Sequence, residues 1–447
     1  MASTYLTKTF GSHGDRTKWT WSAWIKRSGL GSSNALIGAG GGSNQEQIYF
    51  DSSNKIDWWV WSSDTYRARL TTNRLFRDTS GYYHIVCRWD SSNGTTGDRQ
   101  RIYVNGVEET SFGTDTNPDT DRESWINSTT EQQIGASGNG SNDFNGIMSH
   151  IHFCDGQSYA PTEFGSIDAT SGEWKINTSP SVTYGDNGYF ILKNGNSLTD
   201  QSGESNDFTL AAGTLTDLQD CPDDVFATLN PLANQTVAGG TFTTGNNTWQ
   251  SGNSYYSYMP STIGVAKGKF YWEVKVSAMT GATEWHQLGI SSSQPTSNIQ
   301  WLGKLQYDYS YYGQNGYKFT NNTGTGPWGD TYGVGDIVSV ALDMDNLKVY
   351  FAKNGTWQDS GDPTSGATGT GAAYTIENPT NTLQGCYFPS VCYYDSSTNA
   401  TYQTNFGNGY FGTTIISSEG TNASGIGKFE YDVPTGYTAL SLKGLQE

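Results

Sequence analysis

The sequence predicts an all-β chain of two antiparallel β-sandwiches of jelly-roll type in tandem. Three observations carry this prediction. Aromatic residues are 14% of the chain against 34% for all hydrophobic residues, so much of the apolar material is Trp, Tyr and Phe, which suit pleated surfaces. The 55 glycines, with abundant Ser, Thr and Asn, call for many short strands joined by turns. A chain of 447 residues exceeds one ordinary core and no sustained amphipathic helical stretch interrupts it, so two units are expected.

The strands follow in order. The first is expected near residues 5–10, and the second at 19–26, where Trp19, Trp21, Ala23 and Ile25 alternate with Thr20, Ser22, Trp24 and Lys26. Residues 48–50, 56–61, 66–70, 82–89 and 101–107 continue the series between Gly, Asn, Asp and Ser. Asn105-Gly106 signals a hairpin turn, and residues 146–154 close the set. Later in the chain, Phe270, Trp272, Val274 and Val276 alternate with Lys269, Tyr271, Glu273 and Lys275. Residues 337–342 and 347–352 read as a hairpin turning at 343–346.

These stretches carry two resemblances. "WTWSAWIKRSG", "YYHIVCRWD", "RIYVNGVEE" and "IGASGNGSNDFNGIMSHIHFCDG" resemble the laminin-G-like, concanavalin-A-like family over residues 1–165, which implies a two-sheet sandwich. "GKFYWEVKV", "GDIVSVALDMDNLKVYFAKNGTW", Phe388-Pro389-Ser390-Val391 and Asn405-Phe406-Gly407 resemble a SPRY (B30.2-like) domain over residues 235–447. That resemblance implies a bent sandwich used as a binding module, with loops forming a recognition face. Residues 166–234 are expected to bridge the two and to pack on the first. The closing "VPTGYTALSLKGLQE" resembles the ends of marine bacteriophage structural proteins.

Charge and cysteine usage narrow the function. A net charge of -18 with 25 scattered basic residues leaves no footprint for nucleic acid. Cys87, Cys154, Cys221, Cys386 and Cys392 form neither a metal nor a redox motif and suggest no disulfide framework. The opening Met1-Ala2-Ser3-Thr4-Tyr5 lacks a basic stretch followed by an apolar run, and no segment reaches transmembrane length. Folding in the cytoplasm of the producing cell is expected, without membrane insertion. A virion protein made in a host and released by lysis reconciles this with an extracellular type of composition.

Few constellations suggest chemistry. Glu430 and Asp432 have the i, i+2 spacing of a glycosidase pair, but they lie in the SPRY-like part, where an exposed last strand is the plainer reading. Asp343 and Asp345 sit at a hairpin tip and suit a turn. Asp115, Asn117, Asp119 and Asp121 offer four oxygen ligands for a loop-bound Ca²⁺, although Pro118 and the lack of a terminal Glu exclude an EF-hand type of loop. No other cofactor is suggested. His150 and His152 share a strand face without a third ligand.

Aromatic clusters are the stronger candidates. Trp58, Trp59 and Trp61 place neighbouring rings on opposite faces of one strand. Tyr255, Tyr256 and Tyr258, with Tyr307, Tyr309, Tyr311 and Tyr312, crowd loops that approach the recognition face in the resembled fold. They suit stacking on sugars or a protein interface, against the competing use of filling cores. The expected function is therefore non-enzymatic: a virion surface protein, as fibre, appendage or decoration subunit, that contacts other virion proteins, forms homo-oligomers and attaches to host-surface glycan or protein. A virion depolymerase and a cellular carbohydrate-binding adhesion module are the alternatives.

Overall fold

The computed structural model describes residues 4–193, 197–233, 240–252, 256–293, 300–395 and 397–447. The chain is all-β, with antiparallel sandwich sheets and only short 3₁₀ turns of helix among the described residues. It divides into two compact units, Met1–Asp217 and Leu218–Glu447. The segment expected to bridge them is thereby shared: residues 166–217 lie in the first unit and 218–234 in the second.

In the first unit, one sheet has eight described strands in the order Phe112–Thr116, Thr65–Thr72, Ile56–Ser62, Asn44–Phe50, Asn34–Gly41, Gln132–Ile134, Tyr5–Lys8 and Thr209–Ala212. The facing sheet has six, in the order Tyr189–Ile191, Gly146–Asp155, Lys18–Arg27, Tyr83–Asp90, Gln100–Val104 and Val107–Glu108. Period-two alternation sends Trp19, Trp21, Ala23 and Ile25 from one sheet to meet Ile48, Phe50, Trp58 and Val60 from the other. Asn105 and Gly106, both at positive φ, make the expected tight turn before Val107–Glu108.

The outer face of the six-stranded sheet is not exposed. Residues beyond the last long strand fold back over it, and Val86, Tyr103, Cys154 and Phe164 form a second cluster there. Trp174 reaches far enough that a Cβ on Gly106 would lie 2.4 Å from its ring. His84 stacks between Trp24 and Trp174, with centroids 4.7 and 5.9 Å away. Trp174 Nε1 donates to His84 Nδ1 at 2.9 Å, leaving Nε2 to donate to Ser22 Oγ at 2.9 Å. Burial holds this imidazole neutral, with its pKa pushed down to about 3.

In the second unit, the larger sheet runs Thr241–Thr243, Thr248–Gln250, Ala400–Asn405, Lys269–Met279, Ile337–Asp343, Lys348–Lys353 and Thr356–Trp357, with Thr438–Ala439 joining alongside Lys269–Met279. The other runs Ser257–Pro260, Phe388–Tyr393, His286–Ser291, Asp308–Tyr312, Lys318–Thr320 and Thr323–Thr325. Phe270, Trp272, Val274 and Val276 face the core between them. The opposite face of the same strand is covered by the chain's end, where Tyr271 packs with Phe429, Val433 and Tyr437.

Glu273 anchors that cover. Its carboxylate accepts from Tyr271 Oη at 3.0 Å, Asn405 Nδ2 at 3.2 Å, Glu430 N at 3.0 Å and Tyr431 N at 2.9 Å. Burial nevertheless pushes its pKa up to about 7 against these donors. Glu430 and Asp432, read in sequence as a last strand, are not in one. Their carboxylates fasten residues 417 and 421, with Glu430 accepting from Ser417 N and Asp432 from Thr421 N. Asp343 holds the hairpin turn by accepting from Asp345 N and Asn346 N.

Candidate functional site

The outer face of the eight-stranded sheet carries a different surface. In Ile56–Ser62 the residues Ile56, Trp58 and Val60 point to the core, so Asp57, Trp59 and Trp61 point away from it. Strand register sets Arg69 beside Trp59 and Gln47 on its other side, and it sets Thr71 beside Asp57 with Tyr49 opposite. Sequence spacing thus assembles a patch of aromatic and polar side chains from three strands.

Asp57 organises the patch. It accepts from Tyr49 Oη at 2.7 Å, Arg69 Nε at 3.1 Å, Arg69 Nη2 at 2.7 Å and Thr71 Oγ1 at 3.0 Å. The hydrogen bonds to Asp57 raise the Arg69 pKa, so the guanidinium stays charged. The Arg69 guanidinium lies 4.6 Å over the Tyr66 ring. Tyr66, 43% exposed, meets Trp61 and Trp59 edge-on at 4.6 and 5.9 Å. A rigid platform results, with Tyr66 exposed, Trp61 and Arg69 half-buried, and Trp59 and Asp57 buried among them.

A loop limits the patch on one side. A Cβ at Gly38 would lie 2.6 Å from Gly138 N, so glycine permits the loop backbone to lie against the sheet. Gly140 N donates to Gln133 Oε1 at 2.9 Å and fastens the loop there.

Two carboxylates sit near the centre of this sheet, yet on opposite faces. Glu46 shares the core side with Ile48 and Phe50, where it accepts from Trp58 Nε1 at 3.0 Å, Ser124 Oγ at 2.5 Å and Trp125 N at 2.8 Å. Burial raises its pKa. Asp57 lies on the outer side. The two carboxylates are thus separated by the sheet.

The second unit gathers aromatics where strands His286–Ser291 and Phe388–Tyr393 meet their loops. Tyr256 stacks on Tyr394 at 4.4 Å, and Tyr394 also meets Trp301 at 5.3 Å and Trp285 at 6.1 Å. Phe319 joins through Trp301 at 5.3 Å and Tyr312 at 5.5 Å. Tyr256, Trp285 and Tyr394 are half-buried and present part of their rings to solvent.

The tyrosines singled out from sequence therefore separate. Tyr255 lies outside the described residues. Tyr256 and Tyr312 enter the loop-end cluster, though Tyr312 is buried within it. Tyr309 and Tyr311 are core residues, because alternation along Asp308–Tyr312 turns both inward, and Tyr307 packs half-buried against the same core. Tyr258 is buried in the small cluster with Trp301 and Leu302. As contacts for a ligand at an open surface, Tyr258, Tyr309, Tyr311 and Tyr312 are thus corrected to interior positions.

Asp115, Asn117, Asp119 and Asp121 do not converge. Asn117 Nδ2 donates to Asp115 Oδ1 at 2.9 Å, and Asp119 pairs with Arg122 at 3.0 Å. Pro118 is buried, and its carbonyl accepts from Arg99 Nη1 at 3.0 Å. Among the described residues no three His, Cys, Asp or Glu side chains come together as a metal site. His150 and His152 straddle a register shift, and both rest on Phe190. Asp57 and Arg69 were missed in the sequence, where only the alternation of the tryptophans pointed to this face.

Comparison with known proteins assigns both units. Residues 2–158 match the concanavalin A-like lectin/glucanases superfamily, and residues 269–409 match the SPRY domain. The first unit thus carries a concanavalin A-like domain and the second a SPRY domain, two fold types that suggest a binding module.

Among individual proteins, the chain is similar to Ran-binding protein 9 of Danio rerio, 31% identical over 94 residues, or 21% of this chain and 15% of that protein. Ran-binding protein 9 of Homo sapiens matches at 31% over 94 residues, covering 12% of its length. The chain spans less than a sixth of the curated relatives it matches. Among solved structures, the SPRY domain of human HERC1 aligns with TM-score 0.31 and 17% identity, over 39% of this chain and 96% of that one. A heptameric SAP-like pentraxin from Limulus polyphemus aligns with TM-score 0.27 and 14% identity, over 35% and 72%.

Proposed function

We propose that this chain is a non-enzymatic binding protein of a virion surface, attaching to host-surface glycan through the outer patch of its first unit. The observation that carries this reading is the Asp57 network under Tyr66, Trp59 and Trp61. The partly exposed rings take the apolar face of a sugar, while the buried Asp57, already accepting four hydrogen bonds, holds Arg69 and Tyr49 in place beside them. Preorganisation lowers the ordering cost of binding, and many copies per particle make weak single contacts effective.

Hydrolysis does not belong to the reading. A glycosidase needs two carboxyl groups flanking one bond, and Glu46 and Asp57 are divided by the sheet. No cofactor is required. The loop-end aromatics of the second unit suit contacts with other virion proteins or with further copies of this chain. All five cysteines are unpaired, which supports folding in a host cytoplasm. The net charge of -18 speaks against nucleic acid.

Two measurements test this. Immobilised host polysaccharide should bind the chain saturably, Tyr66→Ala and Trp61→Ala should each weaken binding about tenfold or more, and no new reducing ends should form. Release of reducing ends that stops in Asp57→Asn would replace binding with catalysis. Mass spectrometry of purified particles should find the chain in fixed stoichiometry, and particles without it would remove the virion assignment.

A further inference from the structure

A thin hairpin forms part of the cover over the six-stranded sheet of the first unit. Its strands Gly165–Ile167 and Trp174–Ile176 pair with each other and, among the described residues, join neither main sheet. Ile167 is 68% exposed, and most residues from 166 to 179 are exposed as well. Side chains therefore hold the hairpin down, chiefly Trp174 and the adjoining Phe164. An element with so little burial and no shared ladder is among the first to open.

The Trp174 contact has a fixed direction. An indole nitrogen can only donate, so its 2.9 Å hydrogen bond requires an unprotonated Nδ1 on His84. Nε2 of the same imidazole already carries the proton that it gives to Ser22 Oγ. A second proton has only Nδ1 to occupy, and there it meets the indole N–H head-on. His152 has no such conflict, because its partner at 2.9 Å is the Tyr184 hydroxyl, which donates or accepts.

The surroundings offer an imidazolium no counter-charge. Beside His84, the outward positions of the neighbouring strands carry the cations Lys26, Arg88 and Arg101 and the ionisable His150, His152, Tyr103 and Cys154. Arg101 is already paired with Asp98 and Glu108. In the cover, Asp168 pairs with Lys175 at 3.1 Å, Glu163 and Glu173 flank Phe164 and Trp174 in the chain, and Tyr159 and Tyr184 complete the ionisable groups. Burial alone disfavours the charged form of His84, and His150, His84 and Lys193 add to burial at His152, with no carboxylate opposing. Phe164 lies 6.5 Å from His84 and 5.2 Å from His152, and it also closes over Cys154.

We propose that Trp174 and His84 form an acid-released latch: a proton on His84 Nδ1 expels the indole, the hairpin lifts with Phe164, and an aromatic face that includes Trp24 and Phe190 is bared while the sandwich beneath stays closed. The latch lies on the six-stranded sheet, so it stands independently of the glycan patch on the other.

Two unpaired thiols read the two depths, Cys154 under the cover and Cys87 in the core. The full chain is treated with 2,2′-dipyridyl disulfide, which reacts with thiols in acid. Labelling of each cysteine is followed by mass spectrometry, relative to glutathione at the same pH. Cys154 should label at least about thirtyfold faster at pH 5 than at pH 7.5, the gain from one histidine that binds its proton at an ordinary pKa near 6.5 only when the cover is open. Cys87 should stay much slower throughout. His84→Asn keeps an acceptor for Trp174 but takes no proton, and the rise should shrink about tenfold or more, whereas His152→Asn should keep a rise of about thirtyfold. Trp174→Phe keeps a ring without the donor and should label Cys154 severalfold faster than the parent chain already at pH 7.5. The proposal is overturned if Cys87 accelerates in step with Cys154, since the whole unit would then be opening. It is equally overturned if the rise survives intact in His84→Asn, or if Trp174→Phe labels like the parent at pH 7.5.

Discussion

Each unit hides the outer face of one sheet under chain that is not part of that sheet's main ladder, but the two covers are made of opposite chemistry. The first rests neutral imidazoles against aromatic rings, with His84 under Trp174 and His152 hydrogen-bonded to Tyr184 at 2.9 Å. The second gathers backbone and side-chain donors around one carboxylate, Glu273. The contrast teaches how polar residues on the outward positions of a strand become interior. A sandwich needs only one buried face per sheet, and the other can be closed if every polar group finds a partner.

Acidification should separate the two most strongly. His84 and His152 are held below the ordinary histidine value by burial. Their contribution is fully present above about pH 6.5 and is lost as pH falls below it towards the folded value. Glu273, pushed up to about 7, contributes fully below about pH 4.5 and loses that contribution as pH rises through 7. Asp308, at about 6, acts with Glu273, and His286, at about 3, acts against it. Glu46 opposes the histidines in the first unit.

From pH 7 to pH 5 the two histidines should therefore weaken the first unit, Glu46 offsetting part of the loss, while the second holds or gains. Hydrogen exchange on the full chain reads this strand by strand. Faster opening of Tyr83–Asp90 with Lys269–Met279 unchanged is the expected pattern, and equal acceleration in both would remove the distinction.

Next in size, Glu273→Gln places an NH₂ group against donors that now meet oxygen. It should destabilise the second unit by about 2–3 kcal/mol and leave exchange in the first unaltered. Trp174→Ala removes a half-buried ring and the donor to His84, and about 1–2 kcal/mol should be lost from the first unit alone. Smallest in stability is Tyr66→Ala, expected within about 0.5 kcal/mol because the ring is 43% exposed. Its loss should appear in glycan binding, and a large drop in melting temperature would show that the ring is structural.

The inner faces were legible in the sequence because period-two alternation is local. Trp19, Trp21, Ala23 and Ile25, and again Phe270, Trp272, Val274 and Val276, all point to the cores they were expected to fill. The covers were not legible, because their residues lie far along the chain. Nothing near Ser22 announces that Trp174 will bury its neighbour His84, and Glu273 is closed over by backbone from Glu430 and Tyr431. The outer patch was hidden for another reason: Tyr49, Asp57 and Arg69 lie on consecutive strands and meet through strand register. The tyrosine clusters misled for the converse reason: alternation within Asp308–Tyr312 places Tyr309 and Tyr311 inside, whatever the density of rings.

Fluorine NMR of the chain labelled with 5-fluorotryptophan, titrated with oligosaccharide cut from the host polysaccharide, addresses the binding face itself. Trp59 and Trp61 lie on the outer side of their strand and Trp58 on the core side, so the first two resonances should move saturably while Trp58, Trp249 and Trp272 stay still and the oligosaccharide keeps its length. Movement confined to Trp249 and Trp272, or shortening of the sugar during the titration, would contradict a non-cleaving glycan face on the first unit.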